Sequence, residues 1–225
     1  MINREDIELF STGLPFWEHL NQSEKDLLLT NANSAHFSKG QALHYGDNEC
    51  IGILFIKHGM IRIYITSDEG REVTLYRLED NDICILSASC VLQNIDFDVF
   101  VESETECDII QISSIIFSKL SSKNAYVELF SYKLATERFS EVMWAMQQIL
   151  FTSFDKRLAA FLIDETIKIK SNNVNLTHEQ IAKYLGTARE VVSRMLKYFE
   201  KEGYVTLFRG GITINNKKAL QSILK

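Results

Sequence analysis

Two amphipathic segments separated by one glycine, LTHEQIAKYLGTAREVVSRML (residues 176–196), constrain this chain more than any other feature. Thr177 stands three residues before Gln180, a capping-box spacing that starts a helix. Ile181, Ala182 and Leu185 fall on its inner side, and Gly186 ends it. Thr187 is the expected cap of a second helix, with Glu190 three positions on. Two short helices joined by a tight glycine turn form a helix-turn-helix. At about 100° per residue, Val191, Val192, Met195, Leu196 and Phe199 share the apolar side of the second helix. Arg189, Glu190, Ser193, Arg194 and Lys197 share the other. Downstream, YVTLF and ITINN flank RGG, which predicts a small hairpin, a wing, with Arg209 at its tip.

The polar side has the chemistry of a base reader. A guanidinium fork matches guanine O6 and N7, and a carboxylate accepts from cytosine N4. Arg189, Glu190, Ser193 and Arg194 sit in the first two turns, the end that enters a major groove, and are the expected base contacts. Thr177, Thr187, Lys197 and Arg209 are the expected phosphate contacts, which set register without reading sequence. The charge distribution points the same way. Residues 151–225 hold 13 Lys and Arg against 7 Asp and Glu, whereas residues 1–150 hold 11 against 23. A basic third on an acidic body confines contact with a polyanion to that third.

The rest of the chain divides by texture. Residues 3–34 read as short helical patterns, in which Asn21 or Ser23 caps a helix. From about 36 to 117, short runs rich in Ile, Val, Phe and Tyr alternate with turn residues. ILFIKH, MIRIYIT, EVTLYRL, FDVFVES and CDIIQI read as strands, Gly40, Gly46, Gly59 and Gly70 as turns, and SDEGRE as a hairpin. Closely spaced strands predict a small β-barrel or jelly roll. Tyr132, Ala135, Phe139, Val142, Met146 and Ile149 then recur at alternating spacings of 3 and 4. That pattern fits a coiled-coil seam and equally a helix docked on its own barrel. Residues 155–169 form one more amphipathic helix. The fold class is therefore α+β: a sensor domain over 1–120 with a β-roll, a long helix over 121–150, and a winged helix-turn-helix over 151–225. No apolar run approaches the ~20 residues of a membrane span. The polar start MINREDIELF is no signal peptide, and four cysteines without one predict a reducing cytoplasm.

In these features the chain resembles the Crp/Fnr superfamily of bacterial transcription regulators. The resemblance is carried by the glycine spacing of the roll, the long helix, and above all LTHEQIAKYLGTAREVVSRMLKYFEKEGYV. It implies a homodimer on an inverted repeat in double-stranded DNA, with half-sites about one helical turn apart and RNA polymerase as a further partner. Arg189, Glu190 and Arg194 match the base readers of the cyclic-AMP-responsive branch, and Glu190, Ser193 and Arg194 those of the oxygen-responsive branch. The resemblance thus implies a TGA-type core.

The sensor departs from both branches. Cyclic-AMP-binding members carry a Gly-Glu-Leu segment and then an Arg-Ser pair; here the stretch reads NDICILSASC, and no arginine lies near NIDFDVFVE. Asp96, Asp98 and Glu102 repel a phosphate, which argues against cyclic AMP. The N-terminal cysteines of the oxygen-responsive branch are absent. Cys50, Cys84, Cys90 and Cys107 follow no metal-binding signature and read first as buried strand residues, with a thiol switch or cluster as the alternative. His36, His44 and His58 leave haem as another alternative. The expected effector is a small molecule of unknown identity, apolar or aromatic, in a pocket lined by Cys84, Ser87, Cys90, Phe97 and Phe100. An enzyme is not expected: HEQIA has Ala182 where a zinc-protease helix needs its second histidine, and there is no Gly-x-Ser-x-Gly elbow. A module that docks to protein instead of DNA is the other class, and salt dependence separates the two.

Overall fold

The computed structural model describes residues 2, 4–45, 52–85 and 98–224. Gly46, Cys50, Ser87, Cys90, Asp96 and Phe97 lie outside the described residues. The chain opens with helices α1 (Arg4–Gly13) and α2 (Gln22–Thr30). Asn21 begins α2 through a full capping box: its side chain accepts from Glu24 N at 3.0 Å, and the Glu24 carboxylate accepts from Asn21 N at 2.9 Å. Strands β1 (Ala32–Phe37), β2 (Ala42–Tyr45), β3 (Ile53–His58), β4 (Ile61–Thr66), β5 (Glu72–Leu78), β6 (Ile83–Cys84), β7 (Phe100–Ser103) and β8 (Cys107–Ile112) follow. Next come α3 (Ser114–Ser121), α4 (Ala125–Phe151) and α5 (Phe154–Lys168). The chain closes with β9 (Asn173–Val174), α6 (His178–Leu185), α7 (Arg189–Lys201), β10 (Val205–Phe208), β11 (Gly211–Ile214) and α8 (Lys217–Ile223).

The first eight strands form two four-stranded sheets, β1-β8-β3-β6 and β2-β7-β4-β5. The antiparallel pairing places Ile53 opposite Ile112 and Ile63 opposite Val101. Strand β3 is buried on both faces, which is why ILFI is continuously apolar. Ile53 and Phe55 join a cluster with Phe10, Leu14, Phe16, Leu28 and Phe117. Leu54 and Ile56 point the other way, into a cluster with Ile61, Ile63, Val101 and Ile109. Each such side chain contributes about 1.5–3 kcal/mol by leaving water. At the β3–β4 turn, Gly59 has φ +104°, and a Cβ there would collide with the Glu106 carbonyl oxygen.

Two elements differ from the sequence reading. Residues 32–37, ANSAHF, were expected partly in the helical stretch, yet they form a strand. They alternate no apolar residues; residue-by-residue pairing with β8, from Ala32↔Ile112 to Phe37↔Cys107, makes them one. The strand texture expected to reach 117 ends at Ile112, because Phe117 and Leu120 fit the α1–α2 cluster only from a helix.

By contacts the chain divides into two units, residues 1–65 with 75–142, and residues 66–74 with 143–225. The second unit has its own core. Leu158 and Leu162 of α5, Ile181 of α6, Val192, Leu196 and Phe199 of α7, and Val205, Ile212 and Leu220 are all buried in it. Its sheet runs β10-β11-β9, with Val205 opposite Ile214 and Ile212 opposite Val174. The architecture is α+β throughout: a β-rich N-terminal region, a long helix and a C-terminal helix-turn-helix.

Candidate nucleic-acid interface

The first helix of the pair starts as its sequence demands. Thr177 Oγ1 accepts from Gln180 N at 3.2 Å, and Gln180 Oε1 accepts from Thr177 N at 2.9 Å. The Thr177 hydroxyl also donates to Gln180 Oε1 at 3.0 Å, so it is occupied by the cap. Gly186 ends α6 in the left-handed region, at φ 60° and ψ 47°, and Thr187 N donates to Ala182 O at 3.0 Å. One expectation fails here. The N-cap of α7 is Ala188, not Thr187, and no side chain caps the helix. Thr187 instead belongs to the turn that closes α6, and α7 begins one residue later than its spacing predicts.

Helix α7 buries Val192, Leu196 and Phe199 and exposes Arg189, Glu190 and Arg194, with Ser193 half-buried between them. Arg189, Glu190, Ser193, Arg194 and Lys197 line one open groove on its outer side. Thr177, Lys197 and Arg209 are exposed, and Thr187 is half-buried. Arg209 and Gly210 form the tip of the wing, where Gly210 has φ +87°.

Two residues of this unit escaped the sequence reading. Arg157 of α5 donates from Nη1 to Leu185 O at 2.8 Å, gripping the last turn of α6. Its guanidinium sits 5.5 Å from the centre of the Phe154 ring. His178, the first residue of α6, is half-buried. Burial first, then the positive charges of Arg189 and Lys197, hold its pKa below the ordinary histidine value. The clue to Arg157 was a lone arginine at the start of an apolar stripe, and that to His178 its place beside a cap; neither names its partners, 28 residues away for Arg157 and 11 and 19 for His178.

Helix α4 presents two faces. Val127, Ser131, Leu134 and Arg138 are buried. Leu129, Tyr132, Thr136, Phe139, Met143, Met146 and Leu150 are exposed and recur every 3 or 4 residues. Of the expected seam, Tyr132, Phe139, Met146 and Ile149 are exposed and Ala135 is half-buried. Val142 is different: it is half-buried and packs on the interior cluster of the roll. The exposed stripe therefore carries Met143 in its place, one position further round the helix.

In the sensor region, Cys84 is buried in the roll interior. Phe100 does not face that interior. It stacks on Tyr64 at 5.4 Å, while its neighbour Val101 points inward, as the two-residue period of β7 requires. Cys84 and Cys107 are buried and in no disulfide, and Cys107 donates to Met60 O at 3.2 Å. Both ring nitrogens of His36 face carboxylates, Asp108 at 2.8 Å and Glu106 at 3.1 Å, and His58 faces Asp80 at 3.2 Å. Among the described residues, no group of three or more His, Cys, Asp or Glu is arranged to hold a metal. No described helix is long and apolar enough to cross a membrane.

Comparison with known proteins gives this geometry a family. Residues 156–223 match the model of a Crp-like helix-turn-helix domain. A solved structure of a Crp/Fnr family protein from Eubacterium rectale superposes with a TM-score of 0.91 at 44% identity, covering 95% of this chain and 99% of that one. The fumarate and nitrate reduction regulatory protein of Yersinia pestis is 26% identical, over 99% of this chain and 90% of its own. The cAMP-activated global transcriptional regulator Vfr of Pseudomonas aeruginosa is 23% identical, over 86% and 92%. These relatives are regulators and not enzymes, and regulators of this type bind DNA, typically as dimers. A capped helix-turn-helix with a wing, a two-sheet roll and a 44% identical neighbour over nearly the whole length lead to one assignment: this chain belongs to the Crp/Fnr family of transcription regulators.

Proposed function

We propose that this regulator binds DNA sequence-specifically as a homodimer and is controlled allosterically by an effector in its β-roll domain. Arg189, Glu190, Ser193 and Arg194 read base edges, and Lys197 and Arg209 hold phosphates with help from Thr187, and from Thr177 once its hydroxyl turns from Gln180 to the DNA. The observation that carries this reading is the single groove lined by Arg189, Glu190, Ser193, Arg194 and Lys197 on a helix whose other face is fully committed to the core. Two guanidinium forks and one carboxylate on a rigid surface suit guanine and cytosine edges. The uncapped first turn of α7 adds an amide end that favours phosphate.

The dimer seam is the exposed stripe of α4, from Leu129 through Tyr132, Phe139 and Met146 to Leu150, with Ala135 and Ile149 at its edges. Two copies paired along it set two reading helices on one face of the duplex, about one helical turn apart. The working division is sensor 1–120, dimerisation helix 121–150 and DNA-binding domain 151–225, acting in the cytoplasm. The effector is not cyclic AMP, since the ribose-binding glutamate and the phosphate-binding arginine are missing from the sequence. An effector that changes how two α4 helices pair resets the spacing of the reading helices, which is the coupling that allostery needs.

Fluorescence anisotropy with an inverted repeat carrying TGA half-sites tests the reading. Affinity should exceed that for scrambled DNA and fall steeply with salt. Binding indifferent to both sequence and salt would assign the groove to a protein partner.

A further inference from the structure

Against the apolar interior cluster of the roll, two polar side chains are buried next to each other. Tyr76 of β5 and Arg138 of α4 are each only 8% exposed. The Arg138 guanidinium carbon lies 5.2 Å from the centre of the Tyr76 ring. Cys84 stands beside the phenol, and Val142 packs on the same cluster. On its outer side Arg138 is held by Glu141: Nη1 donates to the two carboxylate oxygens at 2.8 and 2.9 Å. The Glu141 side chain is 44% exposed, so this partner sits largely in water. On the inner side, Arg138 Nε is buried with no hydrogen-bond partner, and the buried Tyr76 hydroxyl meets only the Cys84 thiol, a weak partner. Folded interiors seldom leave a buried guanidinium N–H unpaired beside a phenol so weakly held unless something else meets them.

We propose that this pair is the recognition point for a carboxylate ligand, one oxygen accepting from Arg138 Nε and the other from the Tyr76 hydroxyl. The chemistry selects the class. Burial first, then the neighbouring Cys84, holds the phenol pKa well above its ordinary value, so the hydroxyl stays a donor. An arginine and a phenol together offer one cationic and one neutral donor, which matches the two oxygens and single charge of a carboxylate. Phosphate carries more charge and more oxygens than two donors satisfy. Leu78, Val142 and the Tyr76 ring offer apolar surface to the body of the ligand. The ligand carboxylate competes with Glu141 for the same guanidinium, and Glu141 is released into water at little cost. The exchange takes place on α4, the helix that carries the exposed stripe. The role of this ligand as effector rests on the proposed function; its binding does not.

Calorimetry of the full chain without DNA tests the site, with benzoate and propionate as probes and inorganic phosphate and benzyl alcohol as controls. Both carboxylates should bind and neither control should. Tyr76→Phe keeps the ring and the packing and should weaken benzoate about tenfold or more, the loss of one hydrogen bond to a charged group. Glu141→Gln should tighten it by removing the competitor. Arg138→Met should abolish it, and if that variant unfolds, the Phe and Gln variants carry the result. No heat with either carboxylate, phosphate binding in their place, or unchanged affinity in Tyr76→Phe would overturn the proposal. Because DNA is absent, failure here leaves the operator experiment untouched, and failure of the operator experiment leaves this one.

Discussion

Arg157 and Leu185 are joined by a 2.8 Å hydrogen bond from guanidinium to main-chain carbonyl, which ties the start of α5 to the last turn of α6. That carbonyl belongs to a helix end, where acceptors otherwise look to water. The bond therefore fixes the turn from which the reading helix departs. A hydrogen bond to a charged group contributes about 1.5–3 kcal/mol. Arg157→Met, which keeps the stem over Phe154, should lower the stability of the C-terminal unit by about 2 kcal/mol. Urea unfolding measures it, and a midpoint shift near zero would mean water replaces the guanidinium.

Readout and positioning should separate by mutation. Arg194→Ala should cost about 1–3 kcal/mol on the specific site and relax base preference. Lys197→Ala should weaken specific and scrambled DNA alike and reduce the salt slope by about one. Operator affinity in the Arg194 variant equal to that of the wild type would remove Arg194 from the readout set.

The two faces of α4 predict two kinds of defect. Phe139→Asp and Met143→Asp put charge on the exposed stripe and should give folded monomers. Val142→Asp puts charge against the roll interior and should cost about 2 kcal/mol or more of roll stability instead. Sedimentation velocity with thermal melting distinguishes them. A monomeric, normally melting Val142 variant would return that residue to the seam.

Acid should act on the C-terminal unit through His178. Its folded pKa lies below the unfolded value near 6.5, so folding favours the neutral ring. That contribution is fully present above about pH 6.5 and is lost as pH falls through the folded value. His178→Gln should flatten this fall in stability, read by urea midpoints at neutral and mildly acidic pH. DNA phosphates favour the charged ring, so operator affinity should rise on acidification in the wild type and less in the Gln variant. Identical pH profiles for the two proteins would show that His178 stays neutral in both states.

Much of this protein is legible in one dimension because its signals are local. The capping box at Thr177, the αL glycine at 186, the polar face of α7 and the continuous ILFI strand each depend on residues a few positions apart. Periodicity reads such features directly, since helix and strand repeats are short. What tertiary structure decided is everything set by a distant partner. ANSAHF is a strand because β8 pairs with it, not because its own side chains alternate. Thr187 is not the cap of α7 because the turn that closes α6 runs through it and the helix starts one residue later. Val142 leaves the stripe because the roll lies under it, and Phe100 turns away from the interior because β7 fixes its parity. Arg157 meets Leu185, and Arg138 meets Tyr76, across gaps of 28 and 62 residues that no local pattern spans. A spacing of 3 and 4 marks an apolar helix face without saying what covers it, because side chains of the same chain and of a second copy satisfy the same hydrophobic requirement.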